Sequence, residues 1–373
     1  MTERESLAVE ATAVAARLAE MAHSGTPGRV NKALVRAIGD AGLLPRLFPR
    51  RAGGSRDRDV LAVDLCSVRE ALAAVSTEVE NAVAIQTLGG YPIVLSGADE
   101  AVDRWITPVA RGEAVAAFAL TEPGAGTDAG ALAMRAERDG WGFRLTGTKV
   151  FISNAPDADV YTMFARTTEG TGARGITAFI VNGDAPGMKG TPLELLSTHP
   201  IGRLELDGVF VPRDQVLTEV DHGFKLAMRT LDLFRPSVGA SVVGLAQSAL
   251  DAAIAHAQGR TAFGRPIREF QAVSHQVAEM ATRLEAARAL VYAAAAAYDA
   301  GEPGVARRSA MAKLFATETA QAVVDMAIQV HGAVALERGH LLEHLYREVR
   351  APRIYEGTSE IQREIIARDL FHK

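Results

Sequence analysis

The sequence is poor in cysteine and in aromatic residues. Cys66 is the single cysteine, which excludes an internal disulfide framework and a metal cluster of cysteine thiolates. Phenylalanine, tryptophan and tyrosine together make up 6% of the 373 residues, whereas alanine is abundant. Small side chains let helices pack closely, so this composition favours packed helices over β-sandwiches.

The sequence also lacks long apolar runs and a strong excess of one charge. No apolar run reaches the roughly 20 residues that a membrane-spanning helix needs. The charged N-terminal segment, residues 1–6, lacks the apolar core of a signal peptide. The formal net charge of -5 gives no general attraction to nucleic acids or anionic membranes. We therefore expect a cytoplasmic protein without membrane or nucleic-acid partners.

What the sequence does contain is helical periodicity at both ends of a chain that is long for one hydrophobic core. The first part predicts helices at residues 5–22, 29–43, 58–75, 80–96 and 98–111. After residue 223, mostly long, alanine-rich amphipathic segments predict an antiparallel bundle. Its helices are predicted at residues 224–258, 268–300, 303–331 and 358–370.

Strand-like segments lie between these helical parts, from about residue 114 to 218. Strands are predicted at residues 116–120, 142–146, 149–153, 160–165 and 176–181. Turn signals at Asp139-Gly140, Gly183-Asp184 and Asp207-Gly208 punctuate this region. The prediction is an α+β protein of three domains: N-terminal helical (1–113), middle β (114–220) and C-terminal helix bundle (221–373).

One carboxylate near the C-terminus, in residues 353–363, has an unusual setting. Glu356 follows two residues with apolar bodies and precedes Gly357. An apolar setting raises the pKa of a carboxyl group and makes its carboxylate a better base near neutral pH. The alternative is a helix entrance in which Thr358 is the N-cap and Ile361 begins the buried face.

Two segments of the β region have the composition of a ligand-binding surface. Thr121–Asp128 combines a proline, two glycines and two hydroxyl residues, which suits a flat polar ring or an anion. At a second strand end, alternation places Phe151 and Ser153 on one face. An ordinary connecting loop and an ordinary strand remain the alternatives.

Two further segments lie at predicted helix ends. Residues 260–266 contain two arginines whose forked donors suit a diphosphate. The alternative is a helix C-terminus whose basic residues interact favourably with the helix dipole. Residues 329–333 end a helix with an amide and a glycine, and we interpret His331 there as structural, because the sequence offers it no triad partner or companion ligand.

Five motifs occur in one order: FALTEPGAGTDAG (118–130), GTKVFISNAPDADVY (147–161), RTAFGRP (260–266), QVHG (329–332) and RIYEGTSEIQR (353–363). In this order the chain resembles the acyl-CoA dehydrogenase family over nearly its whole length. The resemblance implies the fold of that family, with a β-barrel-like middle domain and a C-terminal four-helix bundle. It also implies an FAD-dependent oxidoreductase that introduces an α,β double bond into an acyl thioester.

The resemblance further implies which residues hold FAD. The flavin ring would be contacted or flanked by Phe118, Leu120, Thr121, Phe151 and Ser153. A neighbouring subunit would supply Arg260, Phe263, Gln329 and Gly332. The adenosine and diphosphate would be reached by Thr358 and Glu360. Phe151 stands where family members usually have tryptophan, which keeps an apolar wall but loses area and the indole donor.

By the same resemblance Glu356 is the catalytic base. It would remove the α-proton of a thioester while a hydride leaves the β-carbon for the flavin. One branch of the family places its base on the first bundle helix, where this chain has Phe234 before Arg235. Phenylalanine cannot be a base, which leaves Glu356. Substrate contacts are implied for Thr127, Asp232, Phe234, Arg235, Tyr355 and Gly357.

These considerations predict a substrate and partners. Phe234 near the acyl chain favours a short, branched or cyclic acyl-CoA over a long straight one. The resemblance implies fatty acid metabolism, an electron-transfer flavoprotein as acceptor, a homo-oligomer (tetramer or dimer) and no metal. One alternative is the same desaturation of an acyl-carrier-protein thioester in a biosynthetic pathway. Another is a flavin-containing DNA-binding relative, which the net charge of -5 disfavours.

Overall fold

A computed structural model of the chain describes residues 3–170, 172–197 and 199–371. The described residues fall into two compact units. Unit 1 takes its residues from Met1–Ala16, Leu61–Glu80 and Asp232–Lys373. Unit 2 takes its residues from Arg17–Val60 and Asn81–Leu231.

Helices form the first and last parts of the chain. In order, they are α1 (Glu3–His23), α2 (Lys32–Asp40), α3 (Ala62–Ala73), α4 (Thr77–Ser96), α5 (Asp99–Ala101), α6 (Thr107–Ala110), α7 (Gly223–Gly259), α8 (Gln271–Asp299), α9 (Val305–His331), α10 (Leu341–Glu348) and α11 (Ser359–Phe371). A π-helical turn, Val102–Ile106, joins α5 to α6.

The strands lie between α6 and α7, apart from a short hairpin after α7. They are β1 (Ala116–Ala119), β2 (Arg135–Asp139), β3 (Gly142–Ser153), β4 (Val160–Arg166), β5 (Ile176–Asn182), β6 (Met188–Pro192), β7 (Ile201–Pro212), β8 (Thr261–Ala262) and β9 (Arg265–Pro266). The hairpin pairs β8 with β9.

β4 organises the seven-stranded sheet of unit 2. It pairs in parallel with β1 and, at Arg135 opposite Arg166, with β2, and it pairs antiparallel with β5. β3 runs antiparallel to β2 and β7, and β6 lies beside β7. All residues of β4 and β5 except the last of each are buried, as expected of strands covered on both faces. The sheet is therefore a rigid support for the loops at its strand ends.

Unit 1 is held together by close helix packing. α9 lies against α8, α10 and α11, and α3 lies against α8. The buried face of α9 consists mainly of alanine, serine, threonine and valine, whose small size lets neighbouring helices approach. Lys313 is the one charged residue on that buried face.

The predicted order of helical, β and helical segments is confirmed, with several differences in detail. The strands predicted at 142–146 and 149–153 are one strand, β3, because Gly147 shifts the register without leaving the sheet. Asp207-Gly208, predicted as a turn, lies inside β7. β2, β6, β7 and α10 were missed: β2 and β6 are largely exposed and rich in polar residues, so they lack the apolar runs of a buried strand.

By length and composition alone, α7 is long and apolar enough to cross a membrane, which the sequence analysis did not anticipate. In the structure, 67% of its most apolar window is buried within the protein. The core helix of a soluble protein has the same properties, so this is weak support for a membrane span.

Candidate active site

Glu356 lies in the short connection before α11 and has a left-handed backbone conformation, with φ of +53°. A residue other than glycine held there costs about 1–3 kcal/mol, and such strain persists only where neighbouring groups enforce it. Gly357 follows with φ of +93°, and a Cβ at that position would lie 2.6 Å from Gln362 Nε2. The turn at 356–357 is thus tight, and the second position accommodates only glycine without rearrangement.

Three side chains hold the two carbonyl groups of this turn. Arg235 Nε donates to the carbonyl of Glu356 at 3.3 Å. Lys313 Nζ donates to the carbonyl of Gly357 at 2.7 Å. Gln362 Nε2 donates to both carbonyls, at 3.2 Å and 2.9 Å. These donors come from α7, α9 and α11, so three helices fix the backbone that carries the Glu356 carboxyl group.

Glu356 is half-buried, and the Oε2 atom of its carboxyl group is buried. This atom has no hydrogen-bond partner among the described residues. Burial raises the pKa of Glu356 above its ordinary value of 4.5. The positive charges of Arg69, Arg235 and Lys313 act in the opposite direction without cancelling the rise, and the charge of Glu80 adds to it. Burial is the largest cause of the shift, in the predicted direction, but the charges of three cations also act on the group, which the sequence did not predict.

Two of these cations are paired with carboxylates. Arg69 donates to Glu80 Oε1 at 2.6 Å and to Ser237 Oγ at 2.8 Å. Arg235 donates to Asp232 Oδ1 at 2.7 Å, and burial raises the pKa of Asp232. The cations around Glu356 are thus fixed in position by their own partners.

The helix entrance expected at Thr358 is also present. The Ile361 N–H donates to Thr358 Oγ1 at 3.3 Å, just before the first turn of α11. Ile361 itself is only half-buried, and the buried residues of α11 are Ser359 and Gln362, so the predicted start of the buried face at Ile361 is wrong. Glu360 is exposed on the first turn. A capped helix start and a carboxylate in a strained turn therefore coexist.

Of the other predicted substrate residues in unit 1, Phe234 stands apart. Its side chain has no solvent-accessible surface, so its ring does not face an open cavity within the unit. Tyr355, in contrast, is 39% exposed. The structure therefore brings Asp232, Arg235 and Gly357 into one bonded cluster with Glu356 and leaves Phe234 in the core.

The predicted flavin residues of unit 2 lie at adjoining strand ends. The Val150 N–H donates to the carbonyl of Thr121 at 3.0 Å, which ties the loop after β1 to β3. Phe151 has φ of +55° at an irregularity in the β3–β7 pairing, and its ring is 56% exposed. Ser153 is half-buried, whereas Ile152 is buried. Thr121, Phe151 and Ser153 therefore have accessible surface at one edge of the sheet.

The remaining predicted residues of this region differ in exposure. Phe118 is half-buried, with its ring centroid 5.0 Å from that of Phe164, and Leu120 is buried. Thr127 is exposed, and the Cβ positions of Gly124 and Gly126 meet nothing within 4 Å. The loop therefore has open space around its backbone, as a ligand-binding loop requires.

A buried ion pair beneath this loop was not anticipated. Lys149 is completely buried and donates to the carbonyl of Leu120 at 2.9 Å and to Glu122 Oε1 at 2.8 Å. Glu122 also accepts the N–H groups of Ala133, at 2.6 Å, and Met134, at 3.0 Å. Burial lowers the pKa of Lys149 to about 8, although the Glu122 carboxylate opposes this shift. The pair joins both ends of the loop 121–132 to β3.

The residues predicted to serve a neighbouring subunit are exposed. Phe263 is 95% exposed at the β8–β9 hairpin, and Arg260 and Gln329 are also exposed. The rings of His256 and His331 stack with centroids 4.2 Å apart, which brings the C-terminal ends of α7 and α9 together. The exposed C-cap Gly332 follows His331. These residues thus lie at the surface of unit 1, available to another molecule.

Sequence reasoning missed Lys149, Lys313 and Gln362, although each leaves a signal. Lys149 precedes three consecutive apolar residues in a strand, and Lys313 is a lone cation within the alanine-rich run 310–316. Gln362 lies one helical turn after Thr358. A charged or amide side chain on an apolar face requires a buried partner, which sequence alone does not identify.

Comparison with known proteins decides the family. Models of the acyl-CoA dehydrogenase N-terminal, middle and C-terminal domains match residues 3–113, 117–209 and 221–371. The chain is 35% identical over 346 residues to cyclohexane-1-carbonyl-CoA dehydrogenase of Geobacter metallireducens, covering 92% of this chain and 90% of that protein.

The chain belongs to the acyl-CoA dehydrogenase family.

Two further relatives extend the likeness. The caffeyl-CoA reductase-Etf complex subunit CarC of Acetobacterium woodii is 39% identical over 294 residues, covering 77% of this chain and 76% of that protein. The structure of butyryl-CoA dehydrogenase from Megasphaera elsdenii matches with a TM-score of 0.92 and 31% identity, covering 99% of this chain and 98% of that one. The predicted acyl-CoA dehydrogenase fold is confirmed.

Family membership also confirms the predicted class of enzyme, a flavin-dependent oxidoreductase, and FAD as its cofactor. The residues present fit this group. Unit 2 has an exposed aromatic ring at Phe151 and an open loop at 121–128, which suit the ring of a dinucleotide. Unit 1 has exposed cationic and amide groups at Arg260 and Gln329, which suit the phosphates. Within residues 3–170, 172–197 and 199–371, no group of three His, Cys, Asp or Glu side chains is placed to hold a metal ion.

Proposed function

We propose that this acyl-CoA dehydrogenase oxidises a short, branched or cyclic acyl-CoA to the 2-enoyl-CoA, with Glu356 as the base. The observation that carries the proposal is the Glu356 carboxyl group, which lies in a strained turn with its Oε2 atom buried and unbonded among the described residues and is influenced by the charges of three cations. A general base must be able to reach the substrate proton that it removes, and the oxygen that accepts this proton must not already be engaged in another hydrogen bond. Burial, which raises the pKa of Glu356, strengthens it as a base near neutral pH.

The chain's own residues account for proton removal. A thioester carbonyl acidifies the adjacent α-carbon, and hydrogen bonds to that carbonyl stabilise the enolate that develops. Glu356 takes the α-proton onto its carboxylate, while Arg235, Lys313 and Gln362 keep the turn in place. When bound, FAD supplies the acceptor for the hydride that leaves the β-carbon. Loss of the α-proton and the β-hydride converts the acyl thioester into a trans-2-enoyl thioester.

Other residues are assigned by the same proposal. FAD would be contacted by Phe118, Leu120, Thr121, Phe151 and Ser153, by Thr358 and Glu360, and by Arg260, Phe263, Gln329 and Gly332 of a neighbouring subunit. Thr127, Asp232, Arg235, Tyr355 and Gly357 would contact the substrate. For Phe234, complete burial supports a packing role beside the site. We further propose a homo-oligomer, a cytoplasmic location and an electron-transfer flavoprotein as acceptor.

The substrate class rests on the name of one relative and on the size of another's substrate. The Geobacter metallireducens relative is a cyclohexane-1-carbonyl-CoA dehydrogenase, and the Megasphaera elsdenii neighbour is a butyryl-CoA dehydrogenase. A panel of straight, branched and cyclic acyl-CoA thioesters, with acyl-carrier-protein thioesters alongside, tests this assignment. Anaerobic loss of flavin absorbance is the readout, and fastest bleaching by a long straight acyl-CoA would contradict it.

A second candidate is the reverse reaction, reduction of a 2-enoyl-CoA. One relative is a subunit of a caffeyl-CoA reductase-Etf complex, which favours considering that direction. The purified enzyme should then reduce 2-enoyl-CoA when supplied with reduced electron-transfer flavoprotein, at a rate exceeding that of acyl-CoA oxidation. Faster oxidation in the same assay would favour the dehydrogenase.

The base is tested by substitution. Glu356→Gln should retain bound FAD, because the change is isosteric, yet fail to bleach its flavin with any thioester of the panel. Glu364→Gln is the matched control, because Glu364 lies in the following helix, α11, and is exposed. Normal flavin bleaching by the Glu356→Gln variant would overturn the assignment.

A further inference from the structure

Lys313 is the one charged residue on the buried face of α9. Its side chain is fully buried on a face of α9 otherwise made of small or aliphatic residues. In the described part of the chain, the hydrogen bond to the carbonyl of Gly357, at 2.7 Å, is its one polar contact. Burial lowers the pKa of Lys313 to about 8, with the nearby Glu356 carboxylate opposing that shift. A buried ammonium group without a bonded carboxylate is costly to a protein.

The other buried lysine shows what an ordinary structural lysine looks like here. Lys149 donates to a carbonyl group and also to the carboxylate of Glu122 at 2.8 Å. Lys313 has the carbonyl but no such carboxylate, while Glu356 Oε2 has no hydrogen-bond donor among the residues described. An incompletely paired cation and an incompletely bonded carboxyl group thus meet at the turn 356–357.

The remaining charges around Lys313 do not replace Glu356 as its counter-charge. Arg235 repels it and is itself paired with Asp232. Glu318, on the same helix, is bonded to Ser359 Oγ at 2.6 Å and to Arg353 at 2.8 Å.

The charges of Arg69 and Glu80, on other helices, also act on Glu356, and the charge of Glu360 acts on Lys313. Arg69 of α3 is paired with Glu80 of α4 at 2.6 Å. Glu360 of α11 is exposed to solvent, which screens its charge. Lys313 is therefore the cation near Glu356 that has no ion pair within the described residues.

We propose that Lys313 is a positioning residue for the base. Through the carbonyl of Gly357 it holds the left-handed turn, and through its positive charge it stabilises the Glu356 carboxylate. The first effect places the base, and the second keeps it ionised. This inference rests on the proposed role of Glu356, and it adds a residue that lies outside the five motifs of the sequence.

The test separates charge from hydrogen bonding. Lys313→Met removes both, whereas Gln362→Met removes hydrogen bonds to the same turn without changing any charge. The measurement is the anaerobic flavin-reduction rate as a function of pH, with FAD content as the check on folding. Loss of a cation close to a carboxylate raises the carboxylate pKa by about one unit or more.

The expected results differ between the variants. For Lys313→Met, the limb of the pH–rate profile on which the rate rises with pH should shift to higher pH by about one pH unit. For Gln362→Met, the rate should fall at every pH while the limb stays in place. A residue that only supports the fold would lower the rate or the FAD content without moving the limb.

A second substitution covers a failure of Lys313→Met to fold. Lys313→Gln keeps a hydrogen-bond donor for Gly357 but removes the charge, so its limb should move in the same direction, and Lys313→Arg should restore the original position. An unmoved limb in Lys313→Gln or Lys313→Met, with Glu356→Gln inactive, overturns this inference alone. An active Glu356→Gln would overturn the proposed function instead.

Discussion

Substitution of Lys149 by methionine should loosen the loop that follows β1. Methionine fills a similar volume but leaves the Glu122 carboxylate buried without its cation. Removing one partner of a buried ion pair costs about 3–5 kcal/mol. The Ala133 and Met134 N–H groups donate to that same carboxylate, so their exchange with solvent reports directly on the pair.

The assay is amide hydrogen exchange of the FAD-loaded protein. A loss of 3–5 kcal/mol in local stability corresponds to a protection lower by roughly 10²- to 10⁴-fold. The loop 121–132 should lose this protection, and FAD should dissociate more readily because Leu120 and Thr121 are held from the same strand end. Lys189→Met, at an exposed lysine of β6, is the matched control and should change neither. Unchanged exchange at Ala133 and Met134 would refute the reasoning.

Three other predictions concern unit 1. Gly357→Ala should slow flavin reduction about tenfold, because alanine is strained at φ of +93° and its Cβ would displace Gln362 Nε2 from the two carbonyl groups that it bonds, whereas Gly301→Ala, with a left-handed φ of +64° but open space, should not. Glu356→Gln should raise the calorimetric unfolding temperature near pH 8. The folded-state pKa of this carboxyl group is raised, so its contribution to stability is present below pH 4.5 and is lost as the pH rises through the folded-state pKa. Cys66 is fully buried, which raises its thiol pKa, so it should react with thiol reagents only after denaturation.

Much of the architecture was predictable because it depends on local periodicity. Alanine-rich amphipathic segments gave α7, α8 and α9 within a few residues, and the buried apolar runs gave β4 and β5. β2 and β6 escaped prediction because largely exposed strands carry no apolar run. Pairing partners set their conformation, and pairing is a non-local property.

The site was predictable in its key residue but not in its support. Glu356 and Thr358 stand out because the motif around them and the capping pattern are continuous in sequence. Lys313 and Arg69 act on Glu356 from helices far away in the chain, and their local sequence does not identify Glu356 as the group that they act on. The cations that act on Glu356 therefore could not be predicted from the sequence around it.

The central claim is that Glu356 removes the α-proton, and exchange at the α-carbon tests it most directly. Acyl-CoA is incubated anaerobically with the enzyme in deuterated water, and deuterium at the α-carbon is followed by mass spectrometry. The native enzyme and the Glu364→Gln control should exchange the α-hydrogen at equal rates, while Glu356→Gln, with its FAD still bound, should show none above background. Undiminished α-exchange by Glu356→Gln would contradict the account.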